Sequence, residues 1–199
     1  MKGVFFDLGN VLVFFSYSKM LTQVARCTGL SLEHVQQLLE QQKLRDLYEE
    51  GTLSSAQLYR NFSVVSEVPF TPAELFQAAS DIFLPNEPII PIVQRLKEKN
   101  IPLLLLSNTN PAHFDFLSER YTFLNLFDHK ILSYQVGAIK PNPAIYQAAL
   151  KAVGASPSEC FYTDDIPQFV EAARQLGIDA EQYTDIATLK THLSNRNLL

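Results

Sequence analysis

The chain has 199 residues, is 47% hydrophobic and 19% charged, and carries a formal net charge of −5, enough apolar residue to bury one substantial core and a smaller second one. Without a run of Lys or Arg it has no electrostatic footprint for nucleic acid or an anionic membrane, and no apolar stretch reaches bilayer-spanning length. Cys27 and Cys160 lie far apart without CxxC spacing and read as core thiols of a cytoplasmic protein.

The apolar N-terminus is interrupted by Asp7 and Asn10 and is followed by no small-residue cleavage site. It reads as a buried strand, Val4-Phe5-Phe6, ending at Asp7, and not as a leader. From Phe15 to Leu84 the spacing is helical. Val35, Leu38 and Leu39 share a face after Ser31, Leu58 and Phe62 share one after Ser54, and Leu75 and Phe76 follow Thr71-Pro72. Within this stretch Glu49-Glu50-Gly51 reads as a solvated helix end, with a turn that faces a substrate as the alternative. A helix is then predicted over 88–99 from Ile89, Ile92, Val93 and Leu96, and a strand over 101–106 that stops at Ser107-Asn108-Thr109-Asn110. A third strand is predicted over 129–133. Pro143 opens a helix that Gly154 closes. A fourth strand, Cys160-Phe161-Tyr162, stops at Thr163-Asp164-Asp165, and Pro167 opens a helix that Gly177 ends. A fifth strand over 178–183 and a helix over 185–193 complete the chain.

Short runs that are apolar on both faces, separated by helices, specify parallel strands covered on both sides. The predicted fold is α/β, a Rossmann-like doubly wound parallel sheet core of residues 1–14 and 85–199 with an inserted helical cap of residues 15–84.

In such a sheet, functional groups gather at the carboxyl ends of the strands, near the point where strand order reverses. That placement collects Asp7, Ser107, Asn108, Lys140, Asp164 and Asp165. Three carboxylates in one crevice repel unless a cation lies among them, and hard oxygen ligands select magnesium. A lysine beside a hydroxyl and an amide suits a phosphate dianion. Each residue also has a plain structural reading. Asp7 can end a strand, Ser107 can cap the helix ahead of Pro111, Asp164 or Asp165 can cap the helix at Pro167, and Lys140 can be a solvated loop charge. His34, His113, His129 and His192 join no such cluster and read as surface or satisfied histidines.

The four polar clusters, in order, resemble the motifs of haloacid dehalogenase superfamily hydrolases: Val4-Phe5-Phe6-Asp7-Leu8-Gly9-Asn10, Leu105-Leu106-Ser107-Asn108-Thr109, Gly137-Ala138-Ile139-Lys140-Pro141-Asn142-Pro143, and Phe161-Tyr162-Thr163-Asp164-Asp165. The resemblance spans nearly the whole chain. It is nearest to the helical-cap (C1) subfamily I, in the glucose-1-phosphate phosphatase and soluble epoxide hydrolase amino-terminal phosphatase branch. It implies a phosphatase that acts on a small phosphorylated metabolite, a sugar phosphate among the candidates, through an aspartyl phosphate. It further implies Asp7 as nucleophile with Lys140 as catalytic partner, Ser107, Asn108 and Lys140 as phosphate ligands, and Mg2+ held by Asp7, the Gly9 carbonyl, Asp164 and Asp165. The expected assembly is a monomer or weak homodimer.

One departure matters. Most phosphatases of this family carry a second Asp two residues after the nucleophile, as proton donor and then base, and here Gly9 stands there. The expectation is a slow phosphatase or one served by a good leaving group, a cap residue or the substrate itself. Two alternatives follow from the same residues: a phosphate-binding or regulatory protein of this fold with little or no turnover, and a dehalogenase, against which the Asp164-Asp165 pair counts.

Overall fold

The computed structural model describes residues 1–41 and 43–199. In chain order, β1 (Gly3–Phe6) leads to the short β2 (Val13–Phe15), and then come five helices: α1 (Tyr17–Thr28), α2 (Leu32–Gln41), α3 (Leu44–Glu49), α4 (Ser55–Val65) and α5 (Pro72–Ser80). Next are β3 (Phe83–Pro85), α6 (Ile90–Glu98), β4 (Leu103–Ser107), α7 (Pro111–Arg120), β5 (His129–Leu132), α8 (Ser133–Val136) and α9 (Pro143–Val153). β6 (Cys160–Asp164), α10 (Pro167–Gln175), β7 (Asp179–Gln182) and α11 (Ile186–Ser194) finish the chain.

Local chemistry sets the ends of these helices. Ser54 and Thr71 each form a reciprocal capping box with the residue three positions on, at the starts of α4 and α5. Asp185 accepts from the Thr188 N–H to start α11. Gly29 and Gly154 end α1 and α9 in the left-handed region that a side chain disfavours.

The main sheet has the order β5-β4-β1-β6-β7, and every pairing in it is parallel. β1 is central, so the chain winds one way to β4 and β5 and the other way to β6 and β7, and strand order reverses beside β1. Side chains alternate between the two faces with the strand period. Val4, Phe6, Leu103, Leu105 and Phe161 pack with Ile92, Val93 and Leu96 of α6 and Leu189 and Leu193 of α11. Phe5, Leu104, Leu106, Cys160 and Tyr162 pack with Ile145, Tyr146 and Ala149 of α9 and Val170 and Ala173 of α10. The sheet is the doubly wound one expected. Cys27 is half-buried, Cys160 is buried, and both are free thiols.

Two features went unpredicted. β6 runs on through Thr163 and Asp164, because the backbones of those residues pair with Phe6 of β1 and Gln182 of β7, and ladder hydrogen bonds do not need an apolar side chain. β2 and β3 form an antiparallel ribbon, with Val13 opposite Pro85 and Phe15 opposite Phe83. Strands of three residues whose partners lie some seventy residues away leave no periodicity to read.

The helices between β2 and β3 bury a separate cluster that includes Met20, Val24, Val35, Leu38, Leu58, Phe62 and Leu75. Among the described residues no helix is long and apolar enough to cross a membrane. The helical segment is pressed against the sheet core at the end of α3. There Gly51 has φ +75°, and a Cβ on it would lie 2.2 Å from the Tyr134 carbonyl oxygen.

Gly154, at φ +62°, has nothing within 4 Å of the same hypothetical atom, so the two glycines form a controlled pair. Gly154→Ala should cost about 1–2 kcal/mol from backbone conformation alone. Gly51→Ala should cost clearly more in urea unfolding, because it adds a clash with main chain to the same conformational penalty. Equal losses would show that α3 does not rest on Tyr134.

Candidate active site

β1, β4 and β6 end side by side, and the residues that follow meet above the carboxyl edge of the sheet. Asp7 leaves β1 with its N–H donating to the Thr163 carbonyl at 3.0 Å. Ser107 closes β4, Asp164 closes β6, and Lys140 enters from the loop between α8 and α9.

The Lys140 Nζ lies 2.6 Å from Asp7 Oδ1 and 2.6 Å from Asp164 Oδ2, with the Leu106 carbonyl and the Tyr162 hydroxyl both at 3.1 Å. At 2% exposure it is no solvated loop charge. Burial works against the ammonium, but the carboxylates of Asp7 and Asp164 outweigh it and hold its pKa above the ordinary lysine value. For Asp7, burial pushes the carboxyl up to about 7, with Lys140 pulling it down and Asp164 pushing it up.

Asp164 is fully engaged. Its Oδ1 accepts the Ile166 N–H at 2.8 Å, and its Oδ2 receives Lys140 and the Tyr162 hydroxyl. It therefore both fastens the lysine and shapes the turn into α10. Asp165 is raised chiefly by burial and drawn down by Asn10, whose Nδ2 donates to its Oδ2 at 3.1 Å. Asp7, Asp164 and Asp165 each place a carboxylate oxygen within 4.8 Å of the others. Three carboxylates thus face one ammonium, and hard oxygens with excess negative charge are a donor set that fits magnesium.

The other expected residues divide by what they touch. Ser107 is buried and its hydroxyl lies 3.3 Å from the Asn108 carbonyl; α7 is capped by Asn110, which accepts from the His113 N–H at 3.0 Å. The Asn108 side chain brackets the Lys140 backbone, accepting its N–H at 2.7 Å and donating to its carbonyl at 3.1 Å. That leaves the main chain of Asn108, more than its amide, to face a ligand. At Gly9, an added Cβ would lie 3.0 Å from Phe15 Cε1, so the Phe15 ring packs against this position.

Tyr162 was missed, because a tyrosine inside an apolar run reads as core. A signal existed: Tyr162 and Asp164 are two apart on one strand and so project to the same face.

The sequence model of the haloacid dehalogenase-like hydrolases matches residues 1–177. The chain belongs to that family. A sesquiterpene phosphatase of Aspergillus oryzae is 24% identical over 199 residues, which cover 100% of this chain and 96% of that one. A D-ribitol-5-phosphate phosphatase of Bacteroides thetaiotaomicron is 27% identical over 192 residues, 91% of each chain. A crystal structure of a family enzyme from Bacteroides thetaiotaomicron, in complex with magnesium and inorganic phosphate, has the same fold, with a TM-score of 0.84 at 21% identity over 95% of this chain and 98% of that one.

In this family member a cavity of about 450 Å³ opens from the carboxylate cluster into the helical segment. Glu49 lines it and is only partly exposed, which corrects the preferred reading of a solvated helix end in favour of the alternative, a turn that faces the site. That placement has a tertiary cause. The Ser133 hydroxyl accepts the Thr109 N–H at 3.0 Å and lies within donating distance of the Glu49 and Thr109 carbonyls, drawing the end of α3 onto the sheet core. Burial pushes the Glu49 carboxyl up to about 7. His113 also lines the cavity; burial lowers its pKa to about 4, and its ring meets Phe83 edge-on at 5.2 Å. It is a neutral, satisfied histidine, as expected from its lack of a motif.

Replacing Lys140 with Met would leave the two carboxylates buried without their cation. Losing one partner of a buried pair costs about 3–5 kcal/mol, so Lys140→Met should lower the unfolding free energy by that order in urea titration. A loss under about 1 kcal/mol, the value of an exposed pair, would mean that the cluster is solvated.

Proposed function

We propose that this hydrolase is a magnesium-dependent phosphomonoesterase that transfers the phosphoryl group of its substrate to Asp7 and then to water. The observation that carries this is the buried Lys140, held against Asp7 and Asp164 where three strands end, with Ser107 and Asp165 on either side. It supplies a fixed positive charge, hydrogen-bond donors and a nucleophilic carboxylate converging on one small space.

Asp7 attacks phosphorus in line, forming the aspartyl oxygen–phosphorus bond as the ester oxygen leaves. Water then attacks phosphorus and returns the Asp7 carboxylate. Lys140 and Ser107, with the backbone at Asn108, hold phosphoryl oxygens, while Asp164, Asn108 and Tyr162 keep Lys140 in place. Asp7, Asp165 and the Gly9 carbonyl, with Asp164 behind them, would hold magnesium, which when bound neutralises phosphoryl oxygens and favours the ionised form of Asp7. Two relatives are a sesquiterpene phosphatase and a D-ribitol-5-phosphate phosphatase, which supports the reaction class. The helices of residues 15–84 act as the cap over this site.

A second reading has its own observation. Gly9 carries no carboxylate and Phe15 packs beside it, so the usual proton donor is absent, which favours weak turnover or phosphate binding without it.

Phosphate release from p-nitrophenyl phosphate should require magnesium and fall to background in Asp7→Asn and Asp165→Asn. Magnesium should also raise the unfolding temperature of the wild type and not that of Asp165→Asn. Turnover that survives in Asp7→Asn removes it as nucleophile; thermal stabilisation by magnesium and binding of inorganic phosphate without turnover would favour the second reading.

A further inference from the structure

The cavity has a polar floor, and its otherwise apolar walls carry a few polar groups, among them the Tyr17 hydroxyl, Arg45, Asp46 and Glu49. Asp7, Ser107, Lys140 and Asp165 form its floor, while Met20, Phe62, Phe76, Phe83 and Phe169 are among the apolar groups on its walls. Several polar atoms on those walls are spent within the protein, while the buried Tyr17 hydroxyl and the Glu49 carboxyl have no partner among the described residues. The Tyr48 hydroxyl bonds the Ser55 hydroxyl at 2.8 Å, the Asn110 amide bonds His113 at 3.1 Å, and Arg45 pairs with Asp46. His113 lies on the same wall, with burial lowering its pKa to about 4, and Phe15 and Ile166 add apolar side chains to the lining.

A polyhydroxylated leaving group bound here would lose water from each hydroxyl with few partners in exchange. A hydrocarbon would gain from the same walls. The geometry points to phosphomonoesters of apolar alcohols, such as medium-chain alkyl or prenyl phosphates, with the phosphoryl group over Asp7 and Lys140 and the hydrocarbon against Met20, Phe62 and Phe76. This rests on the phosphatase reading and names its substrate class, in place of the sugar phosphate anticipated from sequence.

The test is kcat/KM with magnesium for butyl, hexyl, octyl and geranyl phosphate, each below its micelle concentration, beside glucose 1-phosphate, a pentitol phosphate and p-nitrophenyl phosphate. Each added methylene should raise kcat/KM about threefold to fourfold until the cavity is filled, the value of one buried methylene, and Phe76→Ala should flatten that slope. Sugar phosphates should trail octyl phosphate by about a hundredfold or more. Turnover of p-nitrophenyl phosphate with a flat alkyl series, or with sugar phosphates ahead, would overturn the substrate class and leave the phosphatase standing. No release from any ester overturns both.

A separate observation concerns the missing proton donor. Besides Asp7 and Asp165, the carboxylates lining the cavity are Asp46, which is paired with Arg45, and Glu49, which has no hydrogen bond or ion pair to its side chain among the described residues. The end of α3 is held to the sheet core through Ser133 and Gly51. We infer that Glu49 supplies the proton that the residue at Gly9 does not. As the phosphorus–ester oxygen bond breaks and the Asp7–phosphorus bond forms, the Glu49 proton passes to the departing oxygen. Its carboxylate then takes a proton from the attacking water as the Asp7–phosphorus bond breaks. Burial keeps this carboxyl protonated in much of the population near neutrality.

kcat/KM reports steps through phosphoryl transfer to Asp7, so leaving-group dependence isolates the proton. Glu49→Gln should reduce kcat/KM about 10²-fold or more for the best alkyl or sugar ester, yet only a few-fold for p-nitrophenyl phosphate, whose leaving group departs unprotonated. Glu49→Asp should recover part of the loss. An equal fall for both kinds of ester would assign Glu49 a packing role only, and no fall for either would remove it from the reaction.

Discussion

The ammonium of Lys140 sits between Asp7 and Asp164 with almost no access to solvent, and its charge allows two carboxylates to share the dry edge of a parallel sheet. Burying those carboxylates beside each other without it would raise their pKa values until they took up protons. The same ammonium also meets the Leu106 carbonyl and the Tyr162 hydroxyl, so it ties together the ends of β1, β4 and β6. Asn108 locks its main chain from both sides. The buried charge thus has partners from every direction, which is the condition under which such a group holds geometry instead of destabilising the fold.

Everything above that edge follows a division of polarity. The floor presents carboxylates, a hydroxyl and the lysine, while the walls supplied by the helical segment are apolar. Phe15 marks the boundary, its ring packing beside Gly9. Gly9 leaves the floor without a second carboxylate there, and Phe15 adds aromatic surface to the wall. Glu49, partly buried and tied down through its backbone, is the carboxyl that remains on the far side of the same space.

Most of the floor was legible from the chain because Asp7, Ser107 and Asp165 lie at abrupt changes from apolar to polar, and a parallel sheet brings such ends together, while Lys140 reaches the same edge from the loop between α8 and α9. Individual duties were not. Asn108 could be placed at the site but not assigned to bracing the Lys140 backbone, because that depends on how the loop at Lys140 closes onto β4. Tyr162 was hidden inside an apolar strand. Glu49 at the site was the lesser of two readings, because a charged residue at a helix end is ordinarily solvated, and its docking through Ser133 is what draws it to the cavity.

By itself the sequence determined the alternation of short apolar strands and capped helices, the doubly wound sheet, and the strand-end residues at its edge. These depend on local periodicity, capping chemistry and the rule that both faces of a parallel sheet must be covered, all of which act over a few residues. Tertiary structure decided the β2–β3 ribbon, the extension of β6 through Asp164, the place of Phe15 beside Gly9, and the apolar cavity facing Asp7. Those features come from contacts between segments far apart in the chain, where backbone pairing and the fit of one side chain into the space left by another set the outcome, and no local pattern records that fit.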